Sequence, residues 1–104
     1  MTLSLRAMRY LQAALQRGSI TAAAEAMNVA PSAISSALNQ AEEAFGMTLV
    51  TRARAKGIFP TLAGRDVQRR IDDLLERYDG LLTDVSDLQS GLSGTLAIGF
   101  NAPI

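Results

Sequence analysis

One face of the helix predicted over residues 31–45 carries short, uncharged side chains that both donate and accept hydrogen bonds. They are Ser32, Ser35, Ser36, Asn39 and Gln40, and the opposite, apolar face holds Ile34, Leu38, Ala41 and Phe45. A solvated helix face more often uses Glu, Lys and Arg, because Ser and Asn are poor helix formers. Ser and Asn can contact base edges or phosphates without the cost of burying a charge. This face is therefore a candidate for recognition by hydrogen bonding.

A basic turn follows, between short strands predicted at 49–51 and 58–59. It supplies the cations Arg52, Arg54 and Lys56. Considered alone, it is most simply a solvated loop. Placed directly after the polar helix face, it fits a wing whose cations reach phosphates or the minor groove of DNA. The charge distribution agrees, since residues 1–60 hold six basic against three acidic side chains and residues 61–104 hold four against seven.

Composition argues against an enzyme. The 104 residues include no His and no Cys, so the usual general base, the thiol nucleophile and the commonest zinc ligands are missing. An enzyme would need paired carboxylates in a cleft, whereas Asp72 and Asp73 are expected on the outer face of a helix. We predict no catalytic residue, no metal site and no cofactor. No apolar run is long enough to cross a membrane and the N-terminus lacks a signal-peptide pattern, so a cytoplasmic location is expected.

Three helices are predicted before the basic turn, and they are separated at Gly18-Ser19 and at Asn28. Ser19 or Thr21 can cap the second helix. Asn28 tolerates the left-handed backbone of a tight turn, and the small Ala24 suits a close helix crossing. Residues 20–39 therefore fit a helix-turn-helix whose second helix turns its polar face toward a major groove. The alternative is the helical hairpin of an ordinary bundle.

Beyond residue 61, apolar residues alternate spacings of four and three for about three heptads. The repeat consists of Val67, Ile71, Leu74, Tyr78, Leu81, Val85 and Leu88, and the stripe is widened by Leu75 and Leu82. A helix over residues 62–88 is ~40 Å long at 1.5 Å per residue, which is too long to fold back fully on the small domain before it. We therefore expect a homodimer through this face, with burial against the chain's own core as the alternative.

The sequence predicts that the helix ends before residue 90 and that a different kind of structure follows. Residues 90–94 (SGLSG) are expected to form a hinge and residues 95–100 a strand. A lone strand is not stable by itself, so we expect the chain to stop where a second domain begins. The predicted organisation is a winged helix-turn-helix domain over 1–60, a linker helix over 61–89, and a hinge with the first strand of a truncated second domain over 90–104, which the family resemblance below identifies as an effector-binding domain.

These features closely resemble the N-terminal domain of LysR-type transcriptional regulators. The match covers roughly residues 3–66, and it extends in character to the linker helix and to SGTLAIGF, which is similar to the first strand of the family's effector domain. The residues that carry it are Gly18 to Glu25, Asn28 to Ser35, Glu42 to Gly46, Leu49, Arg52, Lys56-Gly57 and Thr61 to Gly64.

The resemblance implies a mainly α fold, a winged helix-turn-helix dimerised through the linker helix, that binds palindromic half-sites of double-stranded DNA. It implies base and phosphate contacts at Pro31, Ser32, Ser35, Ser36 and Asn39, phosphate support from Thr21, and phosphate or minor-groove contacts from Arg52, Arg54 and Lys56. Full-length members usually form tetramers and respond to a small-molecule co-inducer in an effector domain that is mostly absent here. The alternative function is a helical dimerisation or protein-docking module that does not bind DNA.

Four positions depart from the family's pattern. Ala30 replaces the usual Ser cap, so the third helix lacks a side-chain acceptor at its start. Ser36 stands where a basic or amide side chain is common, which leaves the base preference open. Ala41 replaces Leu and Val50 replaces Phe, so the core is smaller. The heptad choices are typical of parallel coiled coils, but the wide stripe favours the antiparallel packing that the family implies.

Overall fold

Within the described residues, the chain forms four helices and one β-hairpin. The computed structural model describes residues 3–53 and 57–95. The elements are α1 (Leu5–Arg17), α2 (Ile20–Met27), α3 (Pro31–Phe45), β1 (Val50–Ala53), β2 (Gly57–Pro60) and α4 (Leu62–Thr95). The predicted fold, a mainly α winged helix-turn-helix followed by a long helix, is confirmed. In the part of the chain described, no helix combines the length and apolar character needed to cross a membrane.

Local hydrogen bonds set the ends of the two helices of the helix-turn-helix. Ser19 begins α2 by accepting a hydrogen bond from the backbone N–H of Ala22 at 3.1 Å, so the cap is Ser19 and not Thr21. Asn28 ends α2 with a φ of 60°, in the left-handed region that Asn tolerates. As expected, Ala30 provides no side-chain cap for α3, which starts with proline, a residue without an N–H to satisfy.

The core of the N-terminal domain lies between α1, α2 and α3 and is built mostly of alanine and leucine. Its buried alanines are Ala7, Ala13, Ala14, Ala23, Ala24, Ala37 and Ala41, and its largest buried side chains are Leu11, Ile34, Leu38 and Leu49. Ala24 is 2% exposed, which agrees with a close helix crossing. Phe45, predicted on the apolar face of α3, is 41% exposed, because it is the last residue of the helix before Gly46 turns the chain away.

The wing is an antiparallel hairpin tied to the turn between α1 and α2. Its strands overlap the predicted ones, and Arg52 lies opposite Ile58. The backbone N–H of Ile58 donates to the carbonyl of Gly18 at 3.0 Å. Gly57 has a φ of +87°, and a Cβ there would lie 2.2 Å from the Gly18 carbonyl oxygen, so only glycine fits. Arg54 and Lys56 lie outside the described residues, and their contacts stay predictions.

Thr61 joins the start of α4 to the segment that leads into the wing. Its hydroxyl accepts a hydrogen bond from the Gly64 N–H at 3.0 Å and donates to the Thr48 carbonyl at 2.7 Å. Its backbone N–H donates to the Leu49 carbonyl at 2.9 Å. A Cβ at Gly64 would lie 1.9 Å from the same Leu49 oxygen, so the close approach of the helix requires glycine.

The chain divides into two compact units, Met1–Asp73 and Leu74–Ile104. In the first unit, the Gln12 side-chain amide donates to Asp72 at 2.8 Å. Asp72 therefore lies toward α1, which corrects the prediction that it sits on the outer face of the helix.

In the second unit, the structure differs from the predicted boundary at residue 89. The helix continues to Thr95, so residues 90–94 are helical where a hinge was expected. Glycine lowers helix propensity by about 1 kcal/mol relative to alanine but does not end a helix as proline does. Beyond its first residue, the strand predicted at 95–100 lies outside the described residues.

Candidate nucleic-acid interface

The polar face of α3 lies on the surface of the domain. Ser32, Ser36 and Asn39 are exposed, and Ser35 is half-buried. The opposite face is fixed in the core by its buried aliphatic side chains. Because residues three, four and seven positions apart share one helix face, the structure brings these four predicted residues together. Pro31 is exposed at the start of the same helix.

Glu42 connects α3 to the wing. Its carboxylate oxygen Oε2 accepts hydrogen bonds from the backbone N–H groups of Leu49 at 2.8 Å and Val50 at 3.3 Å. Hydrogen bonds to a charged acceptor are stronger than neutral ones, so β1 is held firmly against the end of α3. Sequence patterns do not indicate this role, because the partners lie seven and eight residues further along the chain and are backbone groups.

Strand alternation directs Arg52 toward α3. Its pair partner Ile58 and its neighbour Val50, two residues earlier, are both buried. Residues two apart on a strand, and residues paired across it, share one face of the hairpin. Arg52 therefore leaves the strand on the side of the helices, and its Nη2 donates to Oδ1 of Asn39 at 3.3 Å. A predicted wing residue and a predicted helix residue thus form one hydrogen-bonded pair.

Thr21 and Arg52 line the same shallow cleft between the start of α2 and the wing. The free N–H groups and the dipole at a helix N-terminus favour an anion. The Arg52 guanidinium adds a positive charge, and its hydrogen bond goes to a neutral amide that leaves this charge unbalanced. The cleft is therefore electrostatically suited to a phosphate group.

Two other basic side chains, at the start of α4, are already engaged with an acidic neighbour. Nε of Arg70 donates to Asp66 at 2.9 Å, and Arg69 pairs with the same carboxylate. The Arg70 hydrogen bond, together with the charges of both arginines, holds the pKa of Asp66 below its usual value despite some desolvation. These arginines are partly neutralised within the chain and so attract a polyanion less than Arg52 does.

The predicted dimerisation residues separate into two groups. Val67, Ile71 and Leu75 are buried within the single chain, which contradicts a stripe left wholly free for a partner. The heptad pattern cannot distinguish the chain's own core from a partner's surface. Tyr78 is half-buried. The remaining members are between 46% and 62% exposed, and they are Leu74, Leu81, Leu82, Val85 and Leu88.

The amino-acid sequence of this chain is similar to those of known proteins. A family model described as "Bacterial regulatory helix-turn-helix protein, lysR family" matches residues 5–65. The chain is 36% identical over 95 residues to the HTH-type transcriptional activator BauR of Pseudomonas aeruginosa. The aligned region covers 91% of this chain and 31% of that protein. It is 30% identical over 97 residues to the HTH-type transcriptional regulator BsdA of Bacillus subtilis, covering 93% and 33%. The chain thus spans about a third of the length of these curated relatives, both of which are named as transcriptional regulators.

Two solved structures share the fold. The crystal structure of the BenM_DBD/catB site 1 DNA complex is similar with a TM-score of 0.78 and 25% identity, over 84% of this chain and 97% of that chain. The crystal structure of the CbnR_DBD-DNA complex has a TM-score of 0.74 and 26% identity, over 84% of this chain and 98% of that chain. Both are structures of protein–DNA complexes.

Proposed function

Because this chain belongs to the lysR family of bacterial regulatory helix-turn-helix proteins, we propose that it is a sequence-specific, double-stranded DNA-binding domain of a transcriptional regulator. The observation that carries the proposal is the exposed, uncharged polar face of α3 beside the exposed Arg52. Hydrogen-bonding side chains on a helix suit the base edges of a major groove, and a neighbouring cation suits phosphate. The similarity to two domains solved as DNA complexes supports it.

Each part of the surface then has a role. The side chains that contact bases and nearby phosphates are Pro31, Ser32, Ser35, Ser36 and Asn39. Thr21 contacts a phosphate at the start of α2. The wing contacts phosphate or the minor groove through Arg52, Arg54 and Lys56. Phosphate contacts position the protein, whereas base contacts provide the sequence preference.

A second copy of the chain covers the exposed apolar stripe of α4. Exposed leucines along one helix face are unfavourable in water, and burying them stabilises the dimer by roughly 25 cal/mol per Å² of apolar surface removed from water. Two linked copies reading two half-sites bind more tightly than one, because the second contact is made at a high effective concentration. A two-fold dimer matches a palindromic operator.

For the full-length regulator, we propose what the family implies. Such a protein assembles as a tetramer and responds to a small-molecule co-inducer through an effector domain, while the present domain binds DNA without a cofactor. It acts in the cytoplasm, where bacterial DNA lies, and it carries out no catalysis. Binding constants for the isolated domain are then independent of metabolites.

Selection of bound duplexes from a random pool tests the proposed function. The wild-type chain should enrich an imperfect palindrome. The double variant Ser36→Ala and Asn39→Ala changes two exposed side chains, so it should fold normally, still bind random duplex through its phosphate contacts, and enrich less strongly. A chain that binds no duplex at any salt concentration would instead indicate the protein-docking alternative.

A further inference from the structure

We propose that Arg52 sets the base preference of Asn39 by holding its amide oxygen, so that the operator base contacted by Asn39 is a guanine. This specificity rests on the proposed DNA binding and goes beyond it by naming the base and the residue that selects it. The starting point is the 3.3 Å hydrogen bond from Nη2 of Arg52 to Oδ1 of Asn39.

Chemistry dictates which amide atom faces Arg52. The side-chain amide of asparagine has one accepting oxygen and one donating NH2 group, whereas a guanidinium has donors only. The opposite orientation would set two donors against each other, so the atom that faces Arg52 must be the oxygen. The NH2 group of Asn39 is then the part of the amide left for a base edge.

The surrounding backbone keeps the two side chains within reach of each other. The Glu42 carboxylate accepts hydrogen bonds from the backbone N–H groups of Leu49 and of Val50, the first residue of β1, and so fixes the strand relative to α3. On the other strand, the Ile58 N–H bonds the turn after α1, which fixes the hairpin a second time. Arg52 leaves this hairpin on the same face as the buried Ile58, which is the face toward the helices. The pair is therefore a product of the domain's framework and not of a mobile loop.

An Asn39 amide whose oxygen is held by Arg52 separates guanine from the other three bases in the major groove. Asparagine ordinarily reads adenine with both amide atoms, the oxygen accepting from N6 and the NH2 donating to N7. Arg52 occupies one of the two lone pairs of this oxygen and holds the oxygen toward the wing, so the paired contact to adenine is weakened. Guanine presents two neighbouring acceptors, N7 and O6, to the NH2 group, whereas adenine presents only N7, thymine presents only O4 and cytosine presents a donor. Guanine is therefore preferred at the position that Asn39 contacts.

The test uses four duplexes that carry the selected operator and differ only at the base pair whose preference Asn39→Ala abolishes. The wild-type chain should favour guanine over adenine by about tenfold. Arg52→Ala should release the amide, so that adenine gains about tenfold relative to guanine at this position while the other positions keep their preferences. In the Asn39→Ala background, Arg52→Ala should weaken binding to all four duplexes by one common factor.

The outcomes separate this inference from the proposed function. If Arg52→Ala weakens the wild-type chain equally on all four duplexes, Arg52 contributes only charge and the inference is wrong, although DNA binding stands. The inference also fails if the wild-type chain prefers adenine there, or if Asn39→Ala abolishes no preference. If no operator emerges from the random pool, the proposed function itself fails. Circular dichroism of each variant confirms an equal helix content before binding is compared.

Discussion

Replacing Glu42 with alanine is expected to destabilise the domain by about 3 kcal/mol. The change removes the acceptor of two backbone hydrogen bonds, which are 2.8 and 3.3 Å long. Leu49 and Val50, whose N–H groups lose this partner, are 0% and 5% exposed, so water cannot replace the carboxylate readily. A buried donor without an acceptor costs about 1–3 kcal/mol of folding stability. We assign about 2 kcal/mol to the loss of the shorter bond and about 1 kcal/mol to the loss of the longer one. The loss corresponds to a Tm roughly 12–15 °C lower for a domain of this size.

Thermal unfolding followed by circular dichroism measures this loss, at one fixed protein concentration because dimerisation shifts the midpoint. Glu42→Gln keeps a neutral oxygen and should lose about 1 kcal/mol. Glu43→Ala is the matched control, because Glu43 is the exposed neighbour on the same helix and should change stability by less than about 0.5 kcal/mol. Equal losses at Glu42 and Glu43 would refute the conclusion that the Glu42 carboxylate holds the wing.

Three further experiments address the wing, the dimer and the DNA contacts. Gly57→Ala should cost at least about 2 kcal/mol in urea unfolding, because φ is +87° and the new Cβ meets a carbonyl oxygen at 2.2 Å; a neutral effect would contradict the close approach. Leu74→Asp with Leu81→Asp changes side chains that are 46% and 57% exposed in the single chain, so it should yield folded monomers by light scattering; a monomeric wild-type chain would exclude the dimer. Arg52→Ala should make the log–log salt slope of DNA binding shallower by about one per subunit, whereas Ser36→Ala should leave it unchanged; equal slopes for both variants would show that Arg52 is not a charge contact.

Features encoded by neighbouring residues could be predicted from the sequence. The left-handed turn at Asn28, the missing cap at Ala30 and the polar face around Ser36 each depend on residues within a few positions of one another. Propensity and helix periodicity describe such short-range effects well. The fold and the outline of the candidate interface therefore followed from local patterns and from the family resemblance.

Features that depend on distant contacts could not be predicted. The pairing of Asn39 with Arg52 depends on the face from which Arg52 leaves its strand, which only the register of the hairpin reveals. The heptad pattern assigned Val67 and Ile71 to a partner, although they are buried within one chain. A repeat of apolar residues indicates that a helix face is buried. It does not distinguish burial against the chain's own core from burial against a partner.

The alanine-rich core has a consequence for how such a domain can diversify. An alanine has no side-chain rotamers to order, and helices that meet through methyl groups lie at the short end of the usual interaxial distances. Ala24, at 2% exposure, leaves no room for growth, so even Ala24→Val overpacks the crossing by about 1–3 kcal/mol or pushes the helices apart. Interior changes of one or two methyl groups would thus tilt α3 and change operator affinity without altering any side chain proposed to contact DNA. DNA-binding preference can therefore diverge among relatives through substitutions in the interior of the domain. A comparison of surface residues alone does not detect such substitutions.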